Sequence, residues 1–392
     1  MIREGPFIRR EVKRLLDARH IATRSGLPRL AAKLLRGEAV TVAYLGGSIT
    51  EGAGASRQDE TSWRALTGQY LAQRYPHSSF TFINAGVGGT NSTFGAHRLH
   101  SHVLSQGEID LLFVEFSVND GEDREESIRG MEGIVRQCRR QSPWTELCFV
   151  YTAADKNLSD TLPFNIAVHE EVAAYYQIAS VNLAGGVQDR IHAGMVTWEA
   201  LAPDRVHPND EGYALYASYL KAFLEQEVRL SGVGAAAEPD PSELRLAPPL
   251  DDRNYEHSMM ADCGAAVASS GFTLQELGKD EPLMNWRYGL AHLAAKGEEG
   301  EQLSFAVGGR RAGVVLLHGP DSGILEYSLD QGQSFTVVDV FDEWCVLAYR
   351  PILVLFPFQS ERAIQQVVIR CTGSKDERSK GTGIRVLKLM SS

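Results

Sequence analysis

Val40-Thr41-Val42-Ala43-Tyr44-Leu45-Gly46-Gly47-Ser48-Ile49-Thr50-Glu51-Gly52 decides the fold. Six residues rich in β-branched and apolar side chains read as a buried strand, and the paired glycines end it. A helical stretch begins near Ser62-Trp63, completing a strand, a glycine turn and a helix. The unit recurs at Phe80 to Ile83, Leu111 to Phe116, Leu147 to Tyr151 and Ile178 to Leu183, with helix-length stretches at Arg124 to Arg140 and Asn165 to Gln177. Short apolar runs alternating with helices imply a parallel sheet covered on both faces, whose functional loops lie at the carboxyl ends of the strands. A helix from about Asp210 to Leu230 closes this part, and helical spacing from Arg9 to Leu35, broken around Gly26-Leu27-Pro28, predicts two short helices ahead of it.

Composition changes at Ser231 to Pro241, a Gly-, Ala- and Pro-rich linker. Beyond it, runs at Gln302 to Val307, Ala312 to Leu317, Leu325 to Leu329, Phe335 to Val340, Ile352 to Phe356, Ile364 to Arg370 and Ile384 to Leu389 are separated by turns such as Asp330-Gln331-Gly332. That pattern predicts an all-β jelly roll or sandwich. The expected parts are a helical segment 1–39 packed on the domain that follows it, an α/β domain 40–230, a linker 231–241 and a β-sandwich domain 242–392.

The bulk properties agree with two globular domains. The chain has 392 residues, 43% hydrophobic and 23% charged, and a mean hydropathy of -0.20. Its 39 basic and 50 acidic residues give a net charge of -11 without a long Lys/Arg run, which argues against nucleic acid as a partner. Five scattered cysteines, Cys138, Cys148, Cys263, Cys345 and Cys371, offer neither CxxC nor zinc-finger spacing and fit reduced thiols in a cytoplasm. Met1 to Pro6 carries charge where a signal peptide needs an apolar core, and no run approaches about 20 apolar residues, so neither export nor a membrane is expected.

Four loops carry chemistry. Ser48, after the first strand, stands where a nucleophile is exposed; the motif is neither Gly-x-Ser-x-Gly, since Thr50 replaces the second Gly, nor a phosphate-binding loop. In Asp204-Arg205-Val206-His207 a carboxylate can fold back on an imidazole, orienting it to take a serine proton. Asn84 to Ser92, with Gly86, Gly88 and Gly89, and Ser117-Val118-Asn119-Asp120 supply N–H groups and an amide for a developing oxyanion. Each could instead be an ordinary turn or helix cap, as at Asn209 or Asp210; all of them end successive sheet units.

These blocks, Gly46-Gly47-Ser48, Gly89, Asn119 and Asp204-x-x-His207, resemble the four blocks of the SGNH (GDSL-type) hydrolase superfamily over roughly residues 40 to 230. The resemblance implies a flavodoxin-like three-layer α/β/α sandwich carrying an ester hydrolase. Ser48 would be the nucleophile, His207 the base and Asp204 its orienter, with Ser48 N–H, Gly89 N–H and the Asn119 amide forming the oxyanion hole. Gly47 replaces the family's usual Asp, which is not a catalytic residue of the pattern. The appended β region, found in many carbohydrate esterases of the superfamily, points to deacetylation of a glycan, with no cofactor and no metal.

Other candidates are weaker. His97, His100 and His102 lack His-Glu-x-x-His spacing and read as a partly exposed helix lining the cleft. Glu115 reads as a buried, hydrogen-bonded strand acid rather than one of a glycosidase pair, and Asp120 as a cap of the helix that follows it. Trp198 lies close before Asp204; Trp63, Trp144, Trp286 and Trp344 are too scattered to mark a sugar platform. The alternatives are a lipid or thioester acylhydrolase of the same fold, a catalytically silent glycan-binding protein, and a fold adapted to glycoside or transacylation chemistry. The expected partner is a small-molecule or oligosaccharide ester, and a homo-oligomer is left open.

Overall fold

The computed structural model describes residues 18–233, 246–264 and 268–392. The expected helix beginning at Arg9 lies outside them as far as residue 17, and so does most of the 231–241 linker. The chain forms two compact units, 1–256 and 257–392.

The first unit is built on strands β1 (Ile21–Ala22), β2 (Val40–Gly46), β3 (Phe80–Gly86), β4 (Leu111–Glu115), β5 (Glu146–Tyr151) and β6 (Ala179–Asn182), in the order β1-β6-β5-β4-β2-β3. The last five of that order are parallel, in the flavodoxin-like sequence. β4 and the sheet-centre end of β2 are buried on both faces, which is why they read as unbroken apolar runs. The sheet is mixed rather than wholly parallel, because β1 pairs antiparallel with β6 through Ile21–Val181 and Ala22–Ser180. Ile21, expected in a helix, is therefore in a strand; Arg24 fixes it there by donating to Ile178 O at 2.6 Å and Ser180 Oγ at 3.0 Å.

The helices are α1 (Pro28–Arg36), the single turns α2 (Ser48–Glu51) and α3 (Gln58–Thr61), α4 (Trp63–Arg74), α5 (Ser92–His102), α6 (Arg124–Gln141), α7 (Phe164–Tyr175), α8 (Leu183–His192), the single turn α9 (Trp198–Leu201) and α10 (Asp210–Val233). α1 and α4 pack on α10, and α5, α6 and α7 pack in series, giving helical layers about the sheet. Tyr44, Trp63 and Phe113 form a buried aromatic group in which Tyr44 stacks on Phe113 at 5.4 Å and meets the Trp63 edge at 5.3 Å. Residues 246–256 run along α6: Glu132 accepts from the Leu250 and Asp251 N–H groups, Arg129 pairs with Asp251 and Arg136 with Glu256.

The second unit is a sandwich of two antiparallel sheets. One has the order β15 (Arg350–Leu355), β12 (Ala312–His318), β17 (Ile384–Ser391), β10 (His292–Ala295), β9 (Thr273–Gln275), with β7 (Met259–Asp262) on β17. The other has β14 (Thr336–Val338), β13 (Leu325–Ser328), β16 (Ala363–Cys371), β11 (Gln302–Gly309), β8 (Ala268–Ser270). Leu303, Phe305 and Ile369 from one sheet and Val314, Leu316 and Val386 from the other fill one core. The seven strands expected from sequence are present with shifted ends, and β7 to β10 are additional. All five cysteines are buried and unbridged, and no described helix is long and apolar enough to cross a membrane.

Candidate active site

In an open α/β sheet the crevice lies where the strand order reverses, here between β2 and β4. Ser48 follows β2 and Asn119 follows β4, so topology alone brings them together. Gly46 and Gly47 are required by space. A Cβ on Gly46 would lie 2.2 Å from Thr50 Oγ1 and 2.6 Å from Glu115 O; one on Gly47 would lie 2.1 Å from Asn119 Oδ1. The Asn119 carboxamide thus occupies the volume that a side chain at position 47 would need beside Ser48.

Glu115 anchors this turn from below. It is fully buried and accepts from the Thr50 hydroxyl at 3.0 Å, the Thr152 hydroxyl at 2.7 Å and the Gly47 N–H. Burial pushes its pKa up, more than these bonds lower it. It takes no part in a carboxylate pair open to a sugar.

The His207 loop is held against the Ser48 turn by α10. Tyr213 OH donates to Ile49 O at 3.2 Å and Ala53 O at 2.5 Å, and Asp210 accepts from Ser56 N–H at 2.8 Å, Ser56 Oγ at 2.5 Å and Thr61 Oγ1 at 2.7 Å. Asn209 caps α10, accepting from Gly212 N–H at 3.1 Å. Gly54, at φ +87°, lets its backbone lie against Pro208, where a Cβ would sit 2.5 Å from the Pro208 carbonyl oxygen.

The outcome is a linear array. His207 Nε2 lies 2.8 Å from Ser48 Oγ, and His207 Nδ1 lies 2.7 Å from Asp204 Oδ2. Asp204 Oδ1 also accepts the backbone N–H groups of Val206 at 3.0 Å and His207 at 2.7 Å. Partial burial opposes ionisation of Asp204, but these N–H groups and the His207 ring outweigh it and hold the carboxyl below its usual range. The His207 side chain is 29% exposed and that of Asp204 56%, so the array opens to solvent.

Of the loop glycines after β3, the Gly86 N–H is taken up by Asn84 Oδ1 at 3.0 Å and the Gly88 N–H by Glu51 Oε2 at 2.9 Å. The exposed Gly89, at φ +69°, donates to no described residue. Neither does the Asn119 Nδ2 group. Asp120 differs from expectation. α6 is capped by Asp123, whose Oδ1 accepts from Glu126 N–H at 3.1 Å, whereas the buried Asp120 reaches across to α5. It accepts from Ser92 N–H, Ser92 Oγ and Ser127 Oγ, each at 2.7 Å, and lies 2.8 Å from His169 Nε2. The histidine expectation is also corrected: His97 and His102 are buried, and only His100 is at the surface, beside Gln141. Among the described residues no cluster of His, Cys, Asp and Glu could hold a metal. Trp198 is buried and donates from Nε1 to Arg205 O at 3.0 Å, within the His207 loop. The supporting roles of Thr50, Tyr213 and Asp210 had no signal in the sequence, because each depends on a partner distant along the chain.

The sequence profile of the GDSL-like lipase/acylhydrolase family matches residues 44–215. No curated protein matches the chain. Among solved structures, a two-domain esterase active on acetylated mannans is 26% identical, with a TM-score of 0.80 over 95% of this chain and 97% of that one. The same kind of esterase co-crystallised with mannopentaose gives 24% identity and a TM-score of 0.78 over 93% and 94%. The Axe2 acetylxylan esterase of Geobacillus stearothermophilus covers 47% of this chain and 94% of its own, at 17% identity and a TM-score of 0.42. Residues 44–215 are thus a GDSL-like lipase/acylhydrolase domain, and the chain shares with a two-domain esterase the arrangement of an α/β domain followed by an all-β domain.

Proposed function

We propose that this chain is a serine esterase that removes short acyl groups, acetyl foremost, from a carbohydrate. The observation that carries the reading is the unbroken array Ser48 Oγ, His207, Asp204, with gaps of 2.8 and 2.7 Å. In this reading residues 40–230 are the catalytic domain, and the β sandwich, expected from residue 242, begins after residue 256, since residues 246–256 lie along α6.

The Ser48 hydroxyl donates to His207 Nε2, while Nδ1–H donates to Asp204 and fixes the tautomer that leaves Nε2 free to accept. Attack of Ser48 Oγ on the ester carbonyl passes its proton to Nε2 and places negative charge on the carbonyl oxygen. The Ser48 and Gly89 N–H groups and Asn119 Nδ2 are the donors available for that charge; the two last have no competing described acceptor. Collapse expels the sugar oxygen, which takes the proton from Nε2. Water, deprotonated by His207, then attacks the acyl-enzyme, and the acid leaves as Ser48 recovers its proton. The chemistry needs no cofactor. A glycan substrate is supported by the likeness over nearly the full length to an esterase active on acetylated mannans.

The test is initial rates on 4-nitrophenyl acetate, butyrate and octanoate for the wild type and Ser48→Ala, with acetate release from acetylated manno- and xylo-oligosaccharides. The expected result is a rate falling steeply with acyl length, abolished in Ser48→Ala, and acetate released from the sugars. Preference for octanoate with no acetate from any glycan would favour a lipid acylhydrolase, and inactivity on every ester a silent glycan-binding protein.

A further inference from the structure

Arg205 stands between Asp204 and His207 in a left-handed backbone conformation, φ +67°. For a residue with a Cβ this costs on the order of 1 kcal/mol, and glycine would adopt it freely. If the loop required only the turn, glycine would be the better residue there, so the arginine side chain is the feature to explain.

That side chain ties the loop to two other segments. Nε donates to Asp155 Oδ2 at 2.7 Å, and Nη1 pairs with Glu199 of α9. The Arg205 N–H donates to Ala202 O at 2.9 Å, and its carbonyl accepts from Trp198 Nε1. Asp155 opens a 3₁₀ turn beyond the carboxyl end of β5, and its neighbour Lys156 donates to Asp120 O at 2.8 Å, one residue from Asn119. One guanidinium therefore connects the loop of the base, through a single turn, to the segment that carries the amide donor.

We propose that Arg205 is a positioning residue, a latch that holds the Asp204–His207 turn at its working distance from Ser48. The proposal rests on the esterase reading and deepens it. Because the guanidinium and both carboxylates are about half exposed, the ion pairs add little to global stability. Their effect is on geometry, where a displacement of an ångström is costly to catalysis. Arg205→Gly keeps the left-handed turn and removes the latch, as does Arg205→Asn, since asparagine tolerates that conformation without adding glycine's flexibility.

The experiment measures kcat and KM on 4-nitrophenyl acetate and on acetylated manno-oligosaccharides, thermal melting, and hydrogen exchange of the Val206 and His207 amides, for the wild type, both variants and Arg205→Lys. The latch predicts kcat lowered about tenfold on both substrates in Gly and Asn variants. It also predicts KM within about twofold, melting unchanged or raised, faster amide exchange and partial recovery in Arg205→Lys. Unchanged kcat and unchanged exchange would overturn it, and so would a KM rise confined to the oligosaccharide, which would make Arg205 a substrate contact. A wild type inactive on all esters whose Gly and Asn variants still exchange faster would sustain the latch and refute the esterase reading instead.

Discussion

Gly47→Ala tests whether the space beside Ser48 belongs to Asn119. The backbone at Gly47, φ −85° and ψ −151°, is open to alanine, so the substitution introduces no turn strain. Its only conflict is the new methyl group, built 2.1 Å from Asn119 Oδ1 and 2.8 Å from Cγ. The carboxamide must retreat by more than about 1 Å to restore ordinary contact, and its Nδ2 moves with it. Losing one oxyanion donor costs about 10²-fold in kcat or somewhat more, about 3 kcal/mol. The assay is kcat on 4-nitrophenyl acetate for Gly47→Ala, Asn119→Ala and the double variant. Each single change should cost about 10², and the double no more than either, because both remove the same donor. Gly47→Ala within threefold of wild type, or a double loss near 10⁴, would refute the reasoning.

Asp204→Asn should lower kcat by about 10⁴-fold in a pH-rate profile, because an amide donating to His207 Nδ1 drives the proton onto Nε2, where it cannot accept from Ser48; an unchanged profile would remove Asp204 from the array. Glu146 and Glu227 accept the Arg29, Leu30 and Leu27 N–H groups at the start of α1, and burial pushes both carboxyls up to about 7. The folded chain then holds protons that the unfolded chain has lost, so stability declines as pH rises from about 5 to 8. Glu227→Gln should flatten that decline by on the order of 2 kcal/mol, read from melting temperatures across the range; parallel curves would contradict it. Asp120→Asn leaves the donors of Ser92, Ser127 and His169 without their carboxylate and should destabilise the fold by about 2–4 kcal/mol in urea unfolding, an unchanged midpoint being the contrary result.

Residues whose environment is set by their own strand or turn were legible in the sequence. Leu111 to Glu115 is apolar but for its last residue because both faces of β4 are covered, and loops carrying Ser48 and Asn119 follow strand ends wherever a parallel sheet turns. Residues whose environment is set by a distant partner were not legible. β1 is a strand only because Ile21 and Ala22 meet Val181 and Ser180 across the edge of the sheet; locally Ile21 continues a helical periodicity. The short strands β7 and β9, largely exposed, lack the alternation that marks a half-buried strand. His97 is polar by type and fully buried by place, with Nδ1 2.8 Å from Thr93 O and its ring 4.8 Å from that of Tyr255, a residue far along the chain.

Gly47 and Arg205 carry this distinction into the candidate site. At Gly47 the sequence shows a departure from the family pattern but not its surroundings; the structure sets beside it a carboxamide 72 positions later, held there by the bonds that fix the following Asp120. At Arg205 an ordinary surface arginine becomes informative only through the sign of its φ angle and the two carboxylates that its side chain reaches. Motif matching names groups that react, since their chemistry restricts residue type. Groups that aim them are restricted by position instead, and several residue types can satisfy a position. Gly47→Ala and Arg205→Gly therefore probe opposite cases: the first adds an atom where the fold has no room, and the second removes a side chain where the backbone alone would prefer none.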